Sequence, residues 1–253
     1  MNKLPRSKKI PISVIIITKN EEKNIIDCLE SVKWAQEIII VDSGSNDRTK
    51  QISQEYTHNF FFHKWQGFGV QKQIALDYAT FDWVLSIDAD ERVTKELKIE
   101  IIESINKKDF DGYYIPRLSN YFGKFIKHSG WFPDYTVRLV RKNKAAFSKD
   151  MVHEKIKISG KLGKLENYLI HFPYESFGHH MKKINSYSEL GAIQLKKKNY
   201  KISWPLIYLK AVSRFFRVII LKFGLFDGWR GFLIAITSSI SCYQKYSKFK
   251  KLK

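Results

Sequence analysis

The sequence predicts an open, mostly parallel α/β sheet, and three observations carry that prediction. Largely β-branched runs stand at residues 13–18 and 37–42, as expected of strands buried on both faces, and the mostly apolar 83–87 reads as a further strand. Segments with apolar residues at spacings of three and four separate them, the mark of amphipathic helices. Polar or acidic clusters follow each run, and in such sheets ligands sit beyond the carboxyl ends of the strands.

Taken in order, Ser13-Val-Ile-Ile-Ile-Thr18 leads into a helix that Asn20 is placed to cap. Glu21 and Glu22 suit its positive end, and Ile25, Leu29 and Val32 share one face. Glu37-Ile-Ile-Ile-Val-Asp42 repeats the buried-strand pattern, and Ser43-Gly-Ser-Asn-Asp47 is a turn whose Asp47 can cap the next helix. Residues 59–63 read as a third strand. Residues 70–79 read as a helix with Ile74, Ala75 and Tyr78 inward, and 83–87 as a fourth strand ending in Asp88-Ala-Asp90. Thr94 caps another helix with Leu97, Ile101, Ile102 and Ile105 on its apolar side. This order brings Thr18-Lys-Asn-Glu21, Asp42 and Asp88-Ala-Asp90 to one edge of the sheet.

Between residues 112 and 171 the pattern changes to short strands, at 113–115, 136–140, 154–158 and 165–170, separated by aromatic loops. A mixed-sheet extension covering the edge is expected there. Residues 176–198 form a helix with Phe177, Ile184, Tyr187 and Leu195 roughly in register. The tail holds two apolar segments, 204–226, interrupted by Lys210, Arg214, Arg217 and Lys222, and the uncharged 231–243. Neither supplies the ~20 uninterrupted apolar residues of a simple membrane span. Lys210, Arg214 and Arg217 share a helical face while Leu206, Leu209, Val212, Phe216 and Ile219 fill most of the rest, as in a helix lying in a membrane interface.

Composition narrows the class. The 253 residues include 44 Lys plus Arg against 25 Asp plus Glu, a net charge of +19, and 44% hydrophobic residues, which excludes a disordered polyampholyte. Residues 196–253 carry 14 of the basic residues and Asp227 as their one acid, so the tail is built to meet an anionic surface. Nucleic acid and an anionic membrane both offer phosphates. The tail's aromatics are interleaved with long aliphatics and no nucleic-acid motif is present, which favours the membrane. Cys28 and Cys242 have no metal-ligand spacing and fit a reducing compartment. The apolar run at 12–17 is too short for a signal sequence, so a cytoplasmic location is expected.

Two carboxylates at a strand end, Asp88 and Asp90, can hold a hard cation against a diphosphate, or simply cap a helix and line a solvated turn. Asp42 is either a turn residue or an acceptor for a base or ribose hydrogen bond. Together with their context these residues form a family pattern. Ser13-Val-Ile-Ile-Ile-Thr-Lys-Asn-Glu-Glu22, then Ile39-Ile-Val-Asp-Ser-Gly-Ser-Asn-Asp-Arg-Thr49, then Ile87-Asp-Ala-Asp-Glu-Arg-Val93 closely resembles the family 2 inverting glycosyltransferases of GT-A fold, over roughly residues 11–160. Trp131-Phe-Pro-Asp134, Arg138-Leu-Val-Arg141 and Val152-His-Glu154 look most like the lipopolysaccharide-core β-1,4-glucosyltransferase branch.

The resemblance implies a Rossmann-like GT-A catalytic domain at 11–175, after a basic segment at 1–10. A connecting helix at 176–202 and a helical, membrane-associating region at 203–253 follow. It implies a nucleotide pocket lined by Thr18, Asn20, Glu21, Asp42, Lys72 and Asp88, with Lys72 either near the phosphates or a solvated helix lysine. Asp90 and Asp88 would hold Mg or Mn on the diphosphate, and His171 either joins that site or is a satisfied, partly buried histidine. The base that takes the acceptor's proton is Glu154, favoured, or Asp134, because this chain lacks the family's Glu-Asp pair after the Asp-Ala-Asp motif. Trp131 and Arg138 would shape the acceptor side; Arg141 and His179-His180 read as surface. The expected activity is transfer of a hexose, glucose favoured, from a UDP-sugar to a lipopolysaccharide-core or other lipid-linked saccharide at the inner face of the cytoplasmic membrane. The alternatives are a polyprenyl-phosphate glycosyltransferase and a basic membrane- or nucleic-acid-binding protein.

Overall fold

The computed structural model describes residues 9–107, 109–148, 156–198 and 200–252. Its elements in chain order are β1 (Ile10–Thr18), α1 (Ile25–Val32), β2 (Ala35–Asp42), α2 (Thr49–Gln54), β3 (Phe60–Phe62), α3 (Phe68–Tyr78), β4 (Trp83–Asp88), β5 (Glu91–Val93) and α4 (Lys95–Asn106). There follow β6 (Gly112–Tyr121), β7 (Lys124–Phe125), β8 (Asp134–Arg141), β9 (Ala145–Phe147), β10 (Ile156–Ile158), β11 (Leu162–Lys164), β12 (Leu169–His171), α5 (Phe177–Lys197), α6 (Trp204–Phe216) and α7 (Trp229–Lys251). The chain divides into two compact units: Met1–Arg117 with Asp134–His171, and Leu118–Pro133 with Phe172–Lys253.

In the first unit the sheet order is β3-β2-β1-β4-β8-β6-β12-β5. The pairs β1–β2, β1–β4 and β2–β3 are parallel, whereas β8 is antiparallel to both β4 and β6. The sheet is therefore parallel where the sequence runs are longest and mixed beyond β4. The two-residue alternation of a strand decides which side chains enter which core. Ile12, Val14 and Ile16 of β1 join Ile25, Leu29, Val32, Leu97 and Ile101 on one face. Ile15 joins Ile39, Val41, Ala75 and Leu76 on the other. These side chains are almost wholly removed from water, which stabilises each by roughly 1.5–3 kcal/mol relative to exposure.

Thr94 caps α4 as expected, its hydroxyl accepting from the Leu97 amide at 3.1 Å. Three local expectations are corrected. Asn20 does not cap α1, whose N-cap is Asn24, because Asn20 adopts a left-handed conformation (φ 56°) in the loop before it. Tyr78 is exposed and stacks on Phe61, while Gln71 and Lys72 take the buried face of α3. Of the strand expected at 165–170 only the end is strand, as β12 at Leu169–His171, with β11 lying before the expected stretch, and β12 pairs antiparallel with the unforeseen β5.

The second unit is built from α5, α6 and α7 with the segment 118–133, which holds the end of β6 and β7. Tyr121 and Ile126 pack with Val218, Ile234 and Ala235, and a second cluster joins Ala192, Ile202, Ile207 and Phe249. Ser176 caps α5 through the His179 amide at 3.1 Å. The inward face of α5 differs from the expected one: His180, Ile184, Ser188 and Ala192 are buried, while Phe177 and Tyr187 are exposed. Polar residues are admitted there because their hydrogen bonds are met by neighbours: His180 Nδ1 lies 2.8 Å from the Tyr121 hydroxyl, and Ser188 Oγ lies 3.3 Å from Gln244 Oε1. Among the described residues no helix is long and apolar enough to cross a membrane.

Candidate active site

The parallel register aligns Thr18 with Asp42 and Ile17 with Asp88, so the carboxyl ends of β1, β2 and β4 meet along one edge. Asp42 is buried, and its carboxylate organises the turn after β2. Oδ1 accepts from the Gly44 and Ser45 amides at 2.8 and 2.9 Å, and Oδ2 accepts from the Thr18 hydroxyl at 3.0 Å and the Ser45 hydroxyl at 2.5 Å. Gly44 sits at φ +91°, a conformation that strains any other residue, and this lets the chain wrap the carboxylate. Asn20 Oδ1 accepts from the Asn46 amide at 2.8 Å, the Asn20 amide donates to Ser45 Oγ at 2.8 Å, and the Glu21 amide donates to Thr49 Oγ1 at 2.8 Å. The loops after β1 and β2 are thereby locked together. The expected cap by Asp47 is corrected: the N-cap of α2 is Arg48, without a side-chain cap, and Asp47, one residue earlier, accepts at Oδ1 from the Thr49 amide at 3.0 Å in the turn before the helix.

Beyond β4 lies a ladder of alternating charge: Lys72, Asp88, Arg138, Glu91, Arg117, Asp134. Lys72 Nζ stands 3.0 Å from Asp88 Oδ1, and Arg138 Nη2 stands 2.6 Å from Asp88 Oδ2 and 2.5 Å from Glu91 Oε1. Arg117 Nη1 lies 3.3 Å from Glu91 Oε1, and its Nε donates to Asp134 Oδ2 at 2.9 Å, with Nη2 also on that oxygen. Lys72, Glu91 and Arg138 are buried, so the reading of Lys72 as a solvated helix lysine is overturned. Burial disfavours the charged Asp88 carboxylate, but Arg138 and Lys72 outweigh it and hold its pKa well below the usual range. Burial likewise works against the Arg138 guanidinium, and Asp88 and Glu91 outweigh it, raising its pKa. Glu91 Oε2 also accepts from the Asp88 amide at 3.0 Å, so one buried carboxylate fixes both backbone and side chain at the strand end.

Asp90 lies beside His171, Oδ2 to Nε2 at 3.5 Å, across the β5–β12 pairing. Among the described residues no group of three or more His, Cys, Asp or Glu could hold a metal ion. An oxygen and an imidazole nitrogen still suit a divalent cation that completes its shell with substrate phosphates and water. Asp88, with both oxygens engaged by cations, is the poorer donor. His153 and the favoured base Glu154 lie outside the described residues. Asp134, the alternative, is half-exposed and held through Oδ2 by Arg117.

Trp131 belongs to the second unit, edge-on to Tyr121 at 5.1 Å between ring centroids. Arg141, expected at the surface, pairs with Asp82 and covers the Trp83 ring at 4.6 Å. His180, also expected at the surface, is buried, and desolvation first, then Lys183 and His179, push its pKa down to about 4. Sequence reasoning missed Glu91 and Arg117. Their only signals were adjacency of Glu91 to the Asp-Ala-Asp motif and a cation within an aromatic strand, and neither reveals a partner.

A parallel sheet continued by antiparallel strands, with polar and acidic clusters along one strand edge, is a GT-A-like fold. Residues 13–165 match Glycosyl transferase family 2, and the chain belongs to that family. It is 31% identical over 255 residues, covering 95% of this chain and 92% of the relative, to the lipopolysaccharide core biosynthesis glycosyltransferase LpsC of Rhizobium meliloti (strain 1021). Among solved structures it resembles S. aureus TarS 1–349 in complex with UDP-GlcNAc, with a TM-score of 0.51 and 18% identity over 92% of this chain and 82% of that one. It also resembles the mannosyltransferase PcManGT of Pyrobaculum calidifontis in complex with GDP-Man and Mn2+, with a TM-score of 0.51 and 13% identity over 93% of this chain and 74% of that one.

Proposed function

We propose that this glycosyltransferase moves a hexose, glucose favoured, from a UDP-sugar to a saccharide of the lipopolysaccharide core or another lipid-linked acceptor, with inversion at the transferred carbon. The observation that carries the reading is the alignment of Thr18, Asp42 and Asp88 on one sheet edge, with Asp88 kept ionised between Lys72 and Arg138. The similarity to LpsC supports the acceptor class, and nucleotide sugars in TarS and PcManGT support the donor class.

Thr18, Asn20, Glu21 and Asp42 frame the base and ribose, their interlocked loops presenting a rigid rim. Lys72 and Asp88 lie on the ribose and diphosphate side. Asp90 with His171 would hold Mg or Mn, which when bound supplies neutralisation of charge on the departing diphosphate. Arg138 is a positioning residue: it acts through Asp88. Trp131 offers an aromatic surface to the acceptor, and Glu154 takes the acceptor proton, with Asp134 the alternative. Exposed Leu209, Phe216, Phe226 and Trp229, set among basic residues, carry the protein to the anionic inner face of the cytoplasmic membrane.

Calorimetric titration with UDP, GDP and CMP, with and without Mn, tests the donor site. Selective, metal-enhanced UDP binding that Asp90→Ala loses is the expected result. No nucleotide binding by the folded wild type would remove the reading.

A further inference from the structure

The second unit contains an open cavity of about 370 Å³ bounded by α5, α6 and α7. Four cations line it: Lys210 and Arg214 from α6, Arg217 just beyond it, and Lys245 from α7. Ser213 and Ser241 add hydroxyls to the wall. Among the described residues no carboxylate lines the cavity, and none of the four cations is ion-paired to one. The Tyr246 ring meets two of them, 5.6 Å from Lys210 Nζ and 4.6 Å from Lys245 Nζ.

This arrangement reverses the usual order of an amphipathic helix. The basic face of α6 turns to the cavity, and its apolar face is left in water: Leu209 is 63% exposed, Val212 53%, Phe216 52% and, in the next turn, Ile220 59%. Four like charges gathered without a counter-charge repel one another, and an anion placed among them relieves that repulsion. Arginine forks and serine hydroxyls suit the several oxygens of a phosphate, and the cavity volume admits a headgroup rather than a nucleic-acid strand. A second cavity of about 210 Å³ shares Arg214, Tyr187, Ser238 and Ser241 with the first and is walled by Trp131, Tyr174 and His180. Flat aromatic walls suit a sugar ring.

We infer that the α5–α6–α7 cavity binds the phosphate group of a lipid, with the exposed apolar face of α6 lying against the hydrocarbon that the phosphate is attached to. The inference deepens the membrane-face reading above and rests on it for the lipid source of the phosphate; the phosphate chemistry itself stands on the cavity.

The test compares wild type, Arg214→Gln/Arg217→Gln, and the charge-matched control Lys197→Gln/Lys201→Gln, whose lysines are exposed outside the cavity. Each is measured for cosedimentation with phosphatidylglycerol and phosphatidylcholine vesicles at one ionic strength. Each is also melted in inorganic phosphate, in glucose 1-phosphate and in chloride of equal ionic strength. The expected result is that the cavity variant loses about tenfold or more of its affinity for phosphatidylglycerol vesicles while the control changes less than about twofold. The wild type should melt higher in phosphate than in matched chloride, and the cavity variant should not. Because the substitutions remove repulsion in an open cavity, the variant should melt no lower than wild type in chloride, which checks that it folds. Equal losses in cavity variant and control would mean diffuse charge attraction and would overturn the proposal, as would wild-type vesicle binding by the cavity variant, in which case membrane attachment survives without the pocket. If the wild type ignores vesicles but is stabilised by soluble phosphates through Arg214 and Arg217, the membrane reading fails and the phosphate site stands. Neither vesicle binding nor phosphate stabilisation in the wild type overturns both.

Discussion

Arg138→Met removes the central cation of the charge ladder without changing side-chain volume much. In the wild type its guanidinium contacts Asp88 Oδ2 at 2.6 Å and Glu91 Oε1 at 2.5 Å, and it is almost wholly buried. Removing one partner of a buried ion pair costs about 3–5 kcal/mol because the other charge stays buried. Two carboxylates are affected, but Asp88 keeps Lys72 at 3.0 Å and Glu91 keeps Arg117 at 3.3 Å, so the loss should stay within that range. At roughly 2–4 °C per kcal/mol for a chain of this size, the melting midpoint at pH 7 should fall by about 6–20 °C. The pH dependence supplies a second check. The Asp88 pKa is depressed in the folded protein, so its stabilisation is present above the unfolded value of about 4 and is lost as pH falls through the folded value. Without Arg138 that depression is relieved, and protonation of Asp88 removes its repulsion with Glu91. The deficit of the variant relative to wild type should therefore be largest at neutral pH and shrink toward pH 4. Calorimetric melts from pH 8 to pH 4 measure both; a deficit under about 1 kcal/mol at pH 7, or one constant across that range, would refute the ladder as a stabilised buried network.

Asp90→Ala should abolish Mn-enhanced UDP binding and turnover while leaving the melting midpoint within a few degrees of wild type, because Asp90 is at the rim; an unchanged Mn response would move the cation elsewhere. Glu154→Gln should keep donor binding and lose transfer, with Asp134→Asn the milder change; the opposite ranking in single-turnover assays would make Asp134 the base. Leu209→Gln with Phe216→Gln should release the folded protein from phosphatidylglycerol vesicles, since each removes an exposed apolar side chain that burial in lipid stabilises by roughly 1.5–3 kcal/mol. Point changes are the right probe of attachment: deleting residues 203–253 would strip Val218, Ile234 and Ala235 from the cluster on which Tyr121 and Ile126 pack.

Much of the fold was legible because its signals are local. β1 and β2 announce themselves by aliphatic, β-branched stretches at Val14–Ile17 and Ile38–Val41, and β4 by a mostly apolar one, since a strand covered on both faces is mostly apolar. The cap by Thr94 and the turn after Asp42 follow from side-chain reach within a few residues. The alternating order of strands and helices carried the alignment of Thr18, Asp42 and Asp88 on one edge, and the register bears it out.

Pairing across the chain was not legible. Whether Lys72 is solvated or buried depends on Asp88 arriving beside it, and whether Asp88 is ionised depends on Arg138, 50 positions away. The buried face of α5 escaped for the same reason: His180 is acceptable inside only because Tyr121, 59 positions earlier, supplies its hydrogen bond. Spacing placed Lys210, Arg214 and Arg217 on one face of α6, but only packing against α5 and α7 turned that face to a cavity and left the apolar face outside. Apolar burial is largely a property of each residue and sums along the chain, so the sequence by itself determined the strands, the helices and the edge. A buried charge is tolerated only as part of a pair, and pairs between distant residues exist only once the tertiary structure has formed.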